Sequence, residues 1–513
     1  MSPFRARGEG SDPPRGLITV SIMLATIMQA LDTTIANVAL PHMQGSLSAT
    51  QEQISWVLTS YIIAAAIMTP PTGFLAGRFG RKRLFLWSVA GFTVASMLCG
   101  AATSLTELVF FRLLQGVFGA GLVPLSQAVL LDTYPTEKHG QAMALWGMGV
   151  MVGPILGPTL GGYLTEFYNW RWVFYINLPV GLMALTGILA FVPETAKDRD
   201  RPFDVFGFAL LSLSIGAFQM MLDRGQSHSW FSSTEIVAEA VTAGLFLYLF
   251  LVHMFTADRP FIEPGLFKDR NFNIGLLFIF VVGVILLATL ALLPPFLQGL
   301  MGYPVLTTGY VLAPRGVGTM VAMMAVGRLS GKLDARLMIM AGLLLTALSL
   351  YDMAGFTTDV SMFTLIYTGV VQGLGLGFIF VPLSTMTFAT LAPHFRTEGT
   401  AMYSLMRNIG SSIGISVMMT MLSRNVQTNH AAFVTFLTPF NHALDAVKQW
   451  NPATAHGAAA LNGEVTRQAL TLAYLQDFRI MMWVTILALP LLFLLRGPKH
   501  GARSGAPAAA VSE

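Results

Sequence analysis

Two charged side chains, Asp32 and Arg112, interrupt long apolar stretches of the sequence, and groups of these types in such surroundings can bind and release a proton. An ionised carboxylate is costly in hydrocarbon and is kept there for function. It avoids the cost by taking up a proton or by pairing with a cation, and switching between these states is what proton coupling requires. The alternatives are a solvated Asp32 near a helix end and an Arg112 that ties helices together through backbone carbonyls.

Two more arginines, Arg315 and Arg407, lie inside apolar stretches of the second half of the chain. A buried cation there is a candidate electrostatic partner for the proton site, or a binding group for an anionic part of a substrate. Packing against backbone carbonyls is the alternative for each.

The composition indicates what kind of element must position these charges. The chain has 513 residues, of which 54% are hydrophobic and 11% charged. A water-soluble protein of this length carries roughly twice that share of charge. This excludes a soluble multidomain enzyme, a disordered scaffold and a disulfide-stapled secreted module, and the single cysteine, Cys99, has no partner for an internal disulfide.

The apolar runs predict membrane-spanning helices. About 20 mostly apolar residues are needed to cross the hydrocarbon, and fourteen runs qualify. The predicted spans are 17–40, 54–76, 84–103, 106–131, 141–164, 172–193, 205–222, 236–255, 273–293, 305–327, 337–355, 362–391, 400–423 and 478–496. The first run is too long for a signal peptide and ends in no small-residue cleavage site, so we interpret it as an uncleaved span.

Lys and Arg predict the orientation, because cytoplasmic loops retain them. With the N-terminus inside, most of the 30 Lys and Arg residues fall in inner segments, so both termini are predicted to be cytoplasmic. In that orientation Asp32 lies about 12 Å and Arg112 about 10 Å below the outer ends of their helices. We therefore expect the two side chains in one layer.

The two halves of the chain repeat. The segment 73–81 resembles 327–336, Gln115-Gly116 recurs as Gln372-Gly373, and Gly140 recurs as Gly399, at offsets of 254 to 259 residues. Six spans therefore repeat as six, with spans 7 and 8 inserted, and two facing bundles create a cavity that opens to one side at a time. The predicted domains are an N-terminal bundle 1–193, an inserted pair 194–272, a C-terminal bundle 273–496 with an outer loop 424–477, and a cytoplasmic tail 497–513.

The repeat predicts an unequal division of labour between the bundles. The positions that match Asp32 and Arg112 in the second half fall near Ile285 or Leu286 and at Gly369. Since only the first bundle keeps these charges, we expect it to carry the proton step.

Four stretches resemble the major facilitator superfamily, and specifically its fourteen-span drug:proton antiporters of the EmrB/QacA type. They are 31–41 in span 1, the Arg112-x-x-Gln115-Gly116 element in span 4, the glycine- and proline-rich 149–162 in span 5, and 170–179 at the start of span 6. The resemblance covers essentially the whole chain. It implies an all-α integral membrane protein with the major facilitator fold, in which two six-helix bundles and two inserted helices make up 14 transmembrane helices.

The stretch in span 5 looks like the antiporter motif. Glycines at every fourth position line one helix face without side chains, and two prolines remove backbone donors and bend the helix. The resemblance implies a moving seal between the bundles, and ordinary tight packing is the alternative. The residues concerned are Gly149, Gly153, Pro154, Gly157, Pro158, Gly161 and Gly162.

The loop after span 2 carries Gly73, Arg78, Gly80 and Arg81, similar to the family's cytoplasmic loop motif. The family commonly has an acid where this chain has Gly77. The equivalent position in the second half is also a glycine, Gly331. We therefore do not expect the usual latch between that acid and a helix.

These features predict a proton-coupled multidrug efflux antiporter, and not an enzyme, that exports lipophilic or cationic compounds across a bacterial inner membrane. The alternative is a proton-coupled exporter of a specific metabolite, fatty acid or siderophore. Neither a cofactor nor a metal is expected, and no nucleic acid partner. In the loop 424–477 we expect short helices at 429–441 and 464–475, and the resemblance implies a periplasmic adaptor and an outer-membrane channel as partners.

Overall fold

The structure is a computed structural model that describes residues 15–195, 197, 202–330, 332–437 and 454–495. These residues form seventeen α-helices. In chain order they are α1 Arg15–Ser46, α2 Gln51–Met68, α3 Thr72–Phe79, α4 Arg81–Ala101, α5 Leu105–Gly119, α6 Leu122–Thr133, α7 His139–Phe167, α8 Trp172–Tyr175, α9 Asn177–Phe191, α10 Val205–Arg224, α11 Thr234–Thr256, α12 Arg270–Pro295, α13 Val305–Leu329, α14 Ala335–Met353, α15 Met362–Ala389, α16 Arg396–Val434 and α17 Ala455–Leu487. The predicted tail 497–513 lies outside the described residues, as does Gly331.

Each predicted span coincides with a helix or a broken helix. Within the described residues, twelve helices are long and apolar enough to cross a membrane, and a thirteenth results if the bent pair α2 and α3 is one span. That pair bends by 58° at Pro70 and Pro71, since proline cannot continue the hydrogen-bonding ladder. The helix that covers the thirteenth predicted span, α16, is more polar than the other long helices. The count of fourteen stays a prediction, whereas the all-helical fold is confirmed.

The helices of the two halves pack in corresponding ways. In the first half α1 packs against α7, and α5 packs against both α2 and α4. In the second half α12 packs against α16, and α15 packs against both α13 and α14. These are the same pairs of spans in each repeat, as the sequence duplication indicates. The domain boundaries themselves stay a prediction.

Several contacts join the halves. The helix α7 runs along α13, and α16 reaches α3 and α6. The inserted helix α10 packs against its partner α11 and also against α2 and α16, one from each half. We call the end of the molecule that holds the loop between α3 and α4 the Arg81 end, and the end that holds the start of α17 the opposite end.

The prediction of separate short helices in the loop 424–477 is wrong. The structure extends α16 to Val434 and begins α17 at Ala455, so the two segments continue the long helices instead of forming separate ones. Their side chains bond across the pair: Asn429 Nδ2 donates to the Ala469 carbonyl at 3.3 Å. The two extended helices also pack against each other along their length. Residues 438–453 lie outside the described part of the chain.

Candidate functional site

The side chains of Asp32 and Arg112 meet inside the first bundle. Nη1 of Arg112, on α5, donates to Oδ2 of Asp32, on α1, at 2.7 Å. Asp32 is 0% exposed and Arg112 1%. The geometry that the depth argument expects is therefore present, while the role of the pair in proton coupling stays a prediction.

Two amides complete the shell around the carboxylate. The other oxygen, Oδ1 of Asp32, accepts from Gln115 Nε2 at 2.8 Å and from Asn177 Nδ2 at 2.9 Å. Gln115 in turn accepts from Arg112 Nη1 at 2.7 Å, which closes a ring of three side chains. A buried ion pair is tolerated only when hydrogen bonds satisfy its remaining lone pairs and protons, and this shell does so for the carboxylate.

The guanidinium has partners besides Asp32. Arg112 Nε donates to the Val57 carbonyl at 3.0 Å, and its Cζ lies 4.3 Å from the centre of the Tyr61 ring, both on α2. A cation over an aromatic face is stabilised electrostatically, more so when water is excluded. Arg112 therefore keeps a hydrogen bond and a ring contact when Asp32 is neutral.

Helices α4 and α9 supply the outer part of the site. Asn177 also donates to Ser96 Oγ at 2.9 Å, and Ser96 donates to the Phe174 carbonyl at 2.9 Å. Asn177 and Ser96 are both buried. The carboxylate of Asp32 is thus reached from α1, α5 and α9, and a movement of any of these helices changes its surroundings.

The glycine stripe of α7 packs against α1, the helix that carries Asp32. A Cβ at Gly153 would overlap the Ala30 backbone, and one at Gly157 would overlap the side chain of Thr34. Thr34 Oγ1 also donates to the Gly153 carbonyl at 3.0 Å. Glycine is therefore needed here for the close approach of α1. The stripe faces a helix of its own bundle, as the tight-packing alternative expects, and its gating role stays a prediction.

Other parts of the same helix face the second bundle. A Cβ at Gly147 would lie 2.7 Å from Met323 Sδ, and the one at Gly162 would lie 3.8 Å from Leu306, both on α13. Pro154 and Pro158 lie inside α7, which stays one continuous helix. One side of α7 thus packs against α1 of its own bundle, and another side packs against α13 of the second bundle.

The loop motif lies where the bundles meet at the Arg81 end. A Cβ at Gly73 would lie 2.8 Å from Glu398 Cα on α16, so glycine allows the two bundles to touch. Gly80 joins α3 to α4 with φ of 91°, a conformation that other residues rarely adopt. Arg78 is half-buried beside this contact.

A latch between the bundles is present, and it uses a different acid from the one that the family places at position 77. Asp132, on α6, pairs with Arg81 and also accepts from Arg396 Nη1, on α16, at 2.7 Å. Arg81 Nη2 donates to Thr397 Oγ1 of the same helix at 2.9 Å. Position 77 still carries no acid, and the contact between the bundles uses Asp132 instead. The sequence alone does not reveal this contact, because α6 meets α16 only in the folded protein.

The matching layer of the second bundle holds a cation without a carboxylate. Arg315, on α13, is 5% exposed, and its Nη2 makes one long hydrogen bond of 3.5 Å to the Leu286 carbonyl. Its Nη1 and the Oε1 of Gln372 are buried without a partner among the described residues. The guanidinium adjoins a small apolar cavity closed by Leu293, Leu365 and neighbouring side chains. Arg315 has both a contact with a carbonyl and a nitrogen without a partner in the described residues. Packing against carbonyls and binding of an anionic group therefore both stay open as its role.

Arg407 differs from Arg315 in its surroundings. Its side chain is partly exposed on α16 and makes no hydrogen bond or ion pair within the described part of the chain. Its backbone carbonyl lies against Gly283 of α12. The structure therefore brings Arg407 neither to Asp32 nor to Arg315.

Sequence reasoning missed some members of these sites. Gln115 and Asn177 stand in the motifs of spans 4 and 6, and a polar amide in an apolar span is the signal that predicts a buried hydrogen bond. A more serious omission is Asp477, which the sequence suggests is at the edge of an outer loop. The structure buries it completely within α17. The second bundle therefore also holds a buried carboxyl group, although its positions that match Asp32 and Arg112 carry no charge. That the first bundle carries the proton step stays a prediction.

Comparisons with known proteins identify the family and the fold. The Major Facilitator Superfamily profile matches residues 22–437. The fatty acid resistance protein FarB of Neisseria gonorrhoeae is 36% identical over 95% of this chain and 97% of its own length, and the multidrug export protein EmrB of Escherichia coli K12 is 36% identical over 95% and 96%. Among solved structures, the proton:xylose symporter XylE, at 12% identity, covers 94% of this chain and 96% of its own with a TM-score of 0.63, which supports the fold alone. This chain is an EmrB-like member of the Major Facilitator Superfamily.

Proposed function

We propose that this protein is a proton-coupled multidrug efflux antiporter that exports lipophilic or cationic compounds by alternating access. The buried Asp32–Arg112 pair is the observation that carries the proposal. A fully buried carboxylate with one cationic partner and amide donors is able to exchange that partner for a proton. The relatives named for multidrug export support the transport class.

The proposed cycle uses the two states of Asp32. In the first state of the proposed cycle Asp32 is paired with Arg112, and the Asp132–Arg396 and Arg81–Thr397 contacts hold the Arg81 end closed. A proton from the opposite end adds to a carboxylate oxygen and removes the charge that attracts Arg112. Arg112 then relies on the Val57 carbonyl and the Tyr61 ring, so α1 and α5 are free to shift. The proton later leaves to water at the Arg81 end, and the pair re-forms.

The test is substrate-driven proton release in vesicles that contain the purified protein. We expect Asp32→Asn to abolish proton movement upon addition of ethidium while the protein remains folded, because an amide cannot exchange a proton in this range. Asp359→Asn, at an exposed carboxyl, is the matched control and keeps wild-type coupling. Retained coupling in Asp32→Asn contradicts the proposal.

A second candidate substrate class has its own support. FarB, a relative named for fatty acid resistance, matches this chain as well as EmrB does. The unpaired guanidinium of Arg315 adds an electrostatic reason, because it attracts carboxylates and repels cations. Competition between ethidium and a long-chain fatty acid distinguishes the classes, since a specific acid exporter ignores most unrelated dyes.

The predicted inner-membrane orientation and the assembly partners belong to the same proposal. The termini are proposed to face the cytoplasm, and labelling of single introduced cysteines from either side of the membrane tests this. The paired ends of α16 and α17 are proposed to contact a periplasmic adaptor that leads to an outer-membrane channel. Adaptor binding that survives deletion of residues 430–470 contradicts that contact.

A further inference from the structure

Asp477 is a second buried carboxyl group that the proposed cycle does not use. The residue is 0% exposed. Its Oδ1 accepts one long hydrogen bond, from Asn425 Nδ2 of α16 at 3.4 Å, and its Oδ2 is buried without a hydrogen-bond partner. Asp32, by contrast, has a cation and two amides within 3 Å. The surroundings of Asp477 therefore give an ionised carboxylate little electrostatic or hydrogen-bond stabilisation.

Apart from Asn425, an apolar cluster surrounds this part of α17. One apolar cluster includes Ala473, Tyr474 and Met481, each one turn away from Asp477 on α17, and the adjacent Phe478. The same cluster includes Met418 and Leu422 of α16, Phe296 after α12, and Leu350 and Met353 of α14.

Few titratable groups lie near the carboxyl. Tyr474, on the same helix, interacts with it electrostatically. Arg424 of α16 and Arg479 of α17 are exposed and make no ion pair with Asp477 in the described part of the chain. An isolated carboxylate without a counter-ion is expensive to bury, and a bound proton removes that cost.

The contact with Asn425 connects this carboxyl to the helix that joins the bundles. The helix α16 is unbroken from Arg396 to Val434, about 58 Å at 1.5 Å per residue. One end holds Asp132 and Arg81 through Arg396 and Thr397, and the other end covers Asp477. Because one rigid element makes both contacts, a tilt that opens the Arg81 end also disturbs the packing over Asp477.

We propose that Asp477 is a second proton-binding site, which holds its proton while α16 and α17 are packed together and loses it when the two helices separate. The carboxyl lies at the opposite end from the latch, one residue before the apolar run 478–496, so its proton exchanges with the compartment at that end. The packing of the helix pair therefore depends on the pH of that compartment. This site differs from Asp32 in place and in partner, and its test does not require transport.

Infrared difference spectroscopy of the purified protein in lipid tests the protonation state directly. We expect the wild type near about pH 7 to show the carbonyl stretch of a buried protonated carboxyl. Asp477→Asn, which keeps the shape of the side chain, loses this band. Asp32→Asn and the exposed control Asp359→Asn keep it. A band of unchanged intensity in Asp477→Asn overturns the proposal.

Hydrogen–deuterium exchange tests the consequence for packing. After correction for intrinsic exchange, amides in 424–434 and 455–477 of the wild type are expected to exchange several-fold faster at about pH 9 than at about pH 6, because the proton is lost and the buried charge loosens the pair. Asp477→Asn removes this difference, and Asp477→Glu keeps it, which separates proton binding from a structural hydrogen bond. Equal pH dependence in the wild type and Asp477→Asn overturns the coupling between protonation and packing.

Discussion

The two bundles each bury an arginine, and the partners of the two guanidinium groups differ. In the first, Arg112 is paired with Asp32 and held by Gln115 and the Tyr61 ring. In the second, Arg315 has one long bond to a carbonyl. At the repeat offset of 254 residues, Arg315 matches Tyr61. The second bundle therefore carries its cation on α13, the counterpart of α2, whereas the first carries Arg112 on α5.

The difference teaches that duplicated bundles need not duplicate their chemistry. Gln372 keeps the position of Gln115 but donates to Thr289 Oγ1 at 3.4 Å instead of to a carboxylate. Without a carboxylate the second layer has nothing to exchange for a proton. A fully buried carboxyl group of the second bundle, Asp477, lies elsewhere, beside apolar side chains on α17. One bundle therefore holds a matched ion pair, and the other holds its cation and its acid apart.

The largest effect is expected for Arg112→Met. The change leaves Asp32 buried without its cation, and breaking a buried pair in this way costs about 3–5 kcal/mol of unfolding free energy. Denaturant unfolding in detergent at neutral pH measures this loss, and a variant as stable as the wild type contradicts the description of the pair.

A smaller loss is expected for Gly153→Ala, at the glycine that holds α1 in place. The added methyl group overlaps the Ala30 backbone and forces α1 away from α7, at a cost of about 1–3 kcal/mol. Gly244→Ala in α11, where a Cβ meets nothing within 4 Å, is the matched control and is expected to be neutral or slightly stabilising. Equal stability of the two variants, measured by thermal unfolding, argues against the close approach of α1.

Asp132→Asn is expected to weaken the link between the bundles without unfolding either one. The amide keeps the shape but loses the charge shared by Arg81 and Arg396, worth about 1 kcal/mol for partly exposed groups, or about a fivefold shift toward opening at the Arg81 end. A cysteine at Thr400, which is buried and donates to the Pro124 carbonyl across the bundles, reports this opening by its labelling rate. The native Cys99 is buried and does not interfere. An unchanged rate contradicts the latch.

The smallest effect is expected for Arg315→Met, the counterpart of the first substitution. Replacing an unpaired buried cation with an apolar side chain of similar length leaves no carboxylate behind, so the unfolding free energy changes by less than about 1 kcal/mol or increases. The same unfolding assay compares the two methionine variants. A loss as large as that of Arg112→Met indicates that Arg315 has a partner that binds it in the folded protein.

The pattern of residue types along the sequence determined the helix positions and identified two residues of the site. Apolar length fixed where the helices lie, because backbone groups in a membrane must bond within a helix. The scarcity of charge made Asp32 and Arg112 conspicuous, and the rise of a helix placed them in one layer. The motifs of spans 4 and 6 contained Gln115 and Asn177, although nothing in their spacing revealed that both bond to the same carboxylate.

Only the tertiary structure decided which groups face each other. Asp132 becomes the latch acid because α6, α4 and α16 converge at one end, a meeting of residues more than 250 positions apart that no local pattern encodes. Asp477 becomes a buried acid because α16 and α17 extend and cover it, whereas its neighbours along the chain suggest an outer loop. Local sequence sets helix formation through short-range hydrogen bonds and apolar length. Burial and pairing depend on contacts between distant segments, and these exist only once the helices have packed.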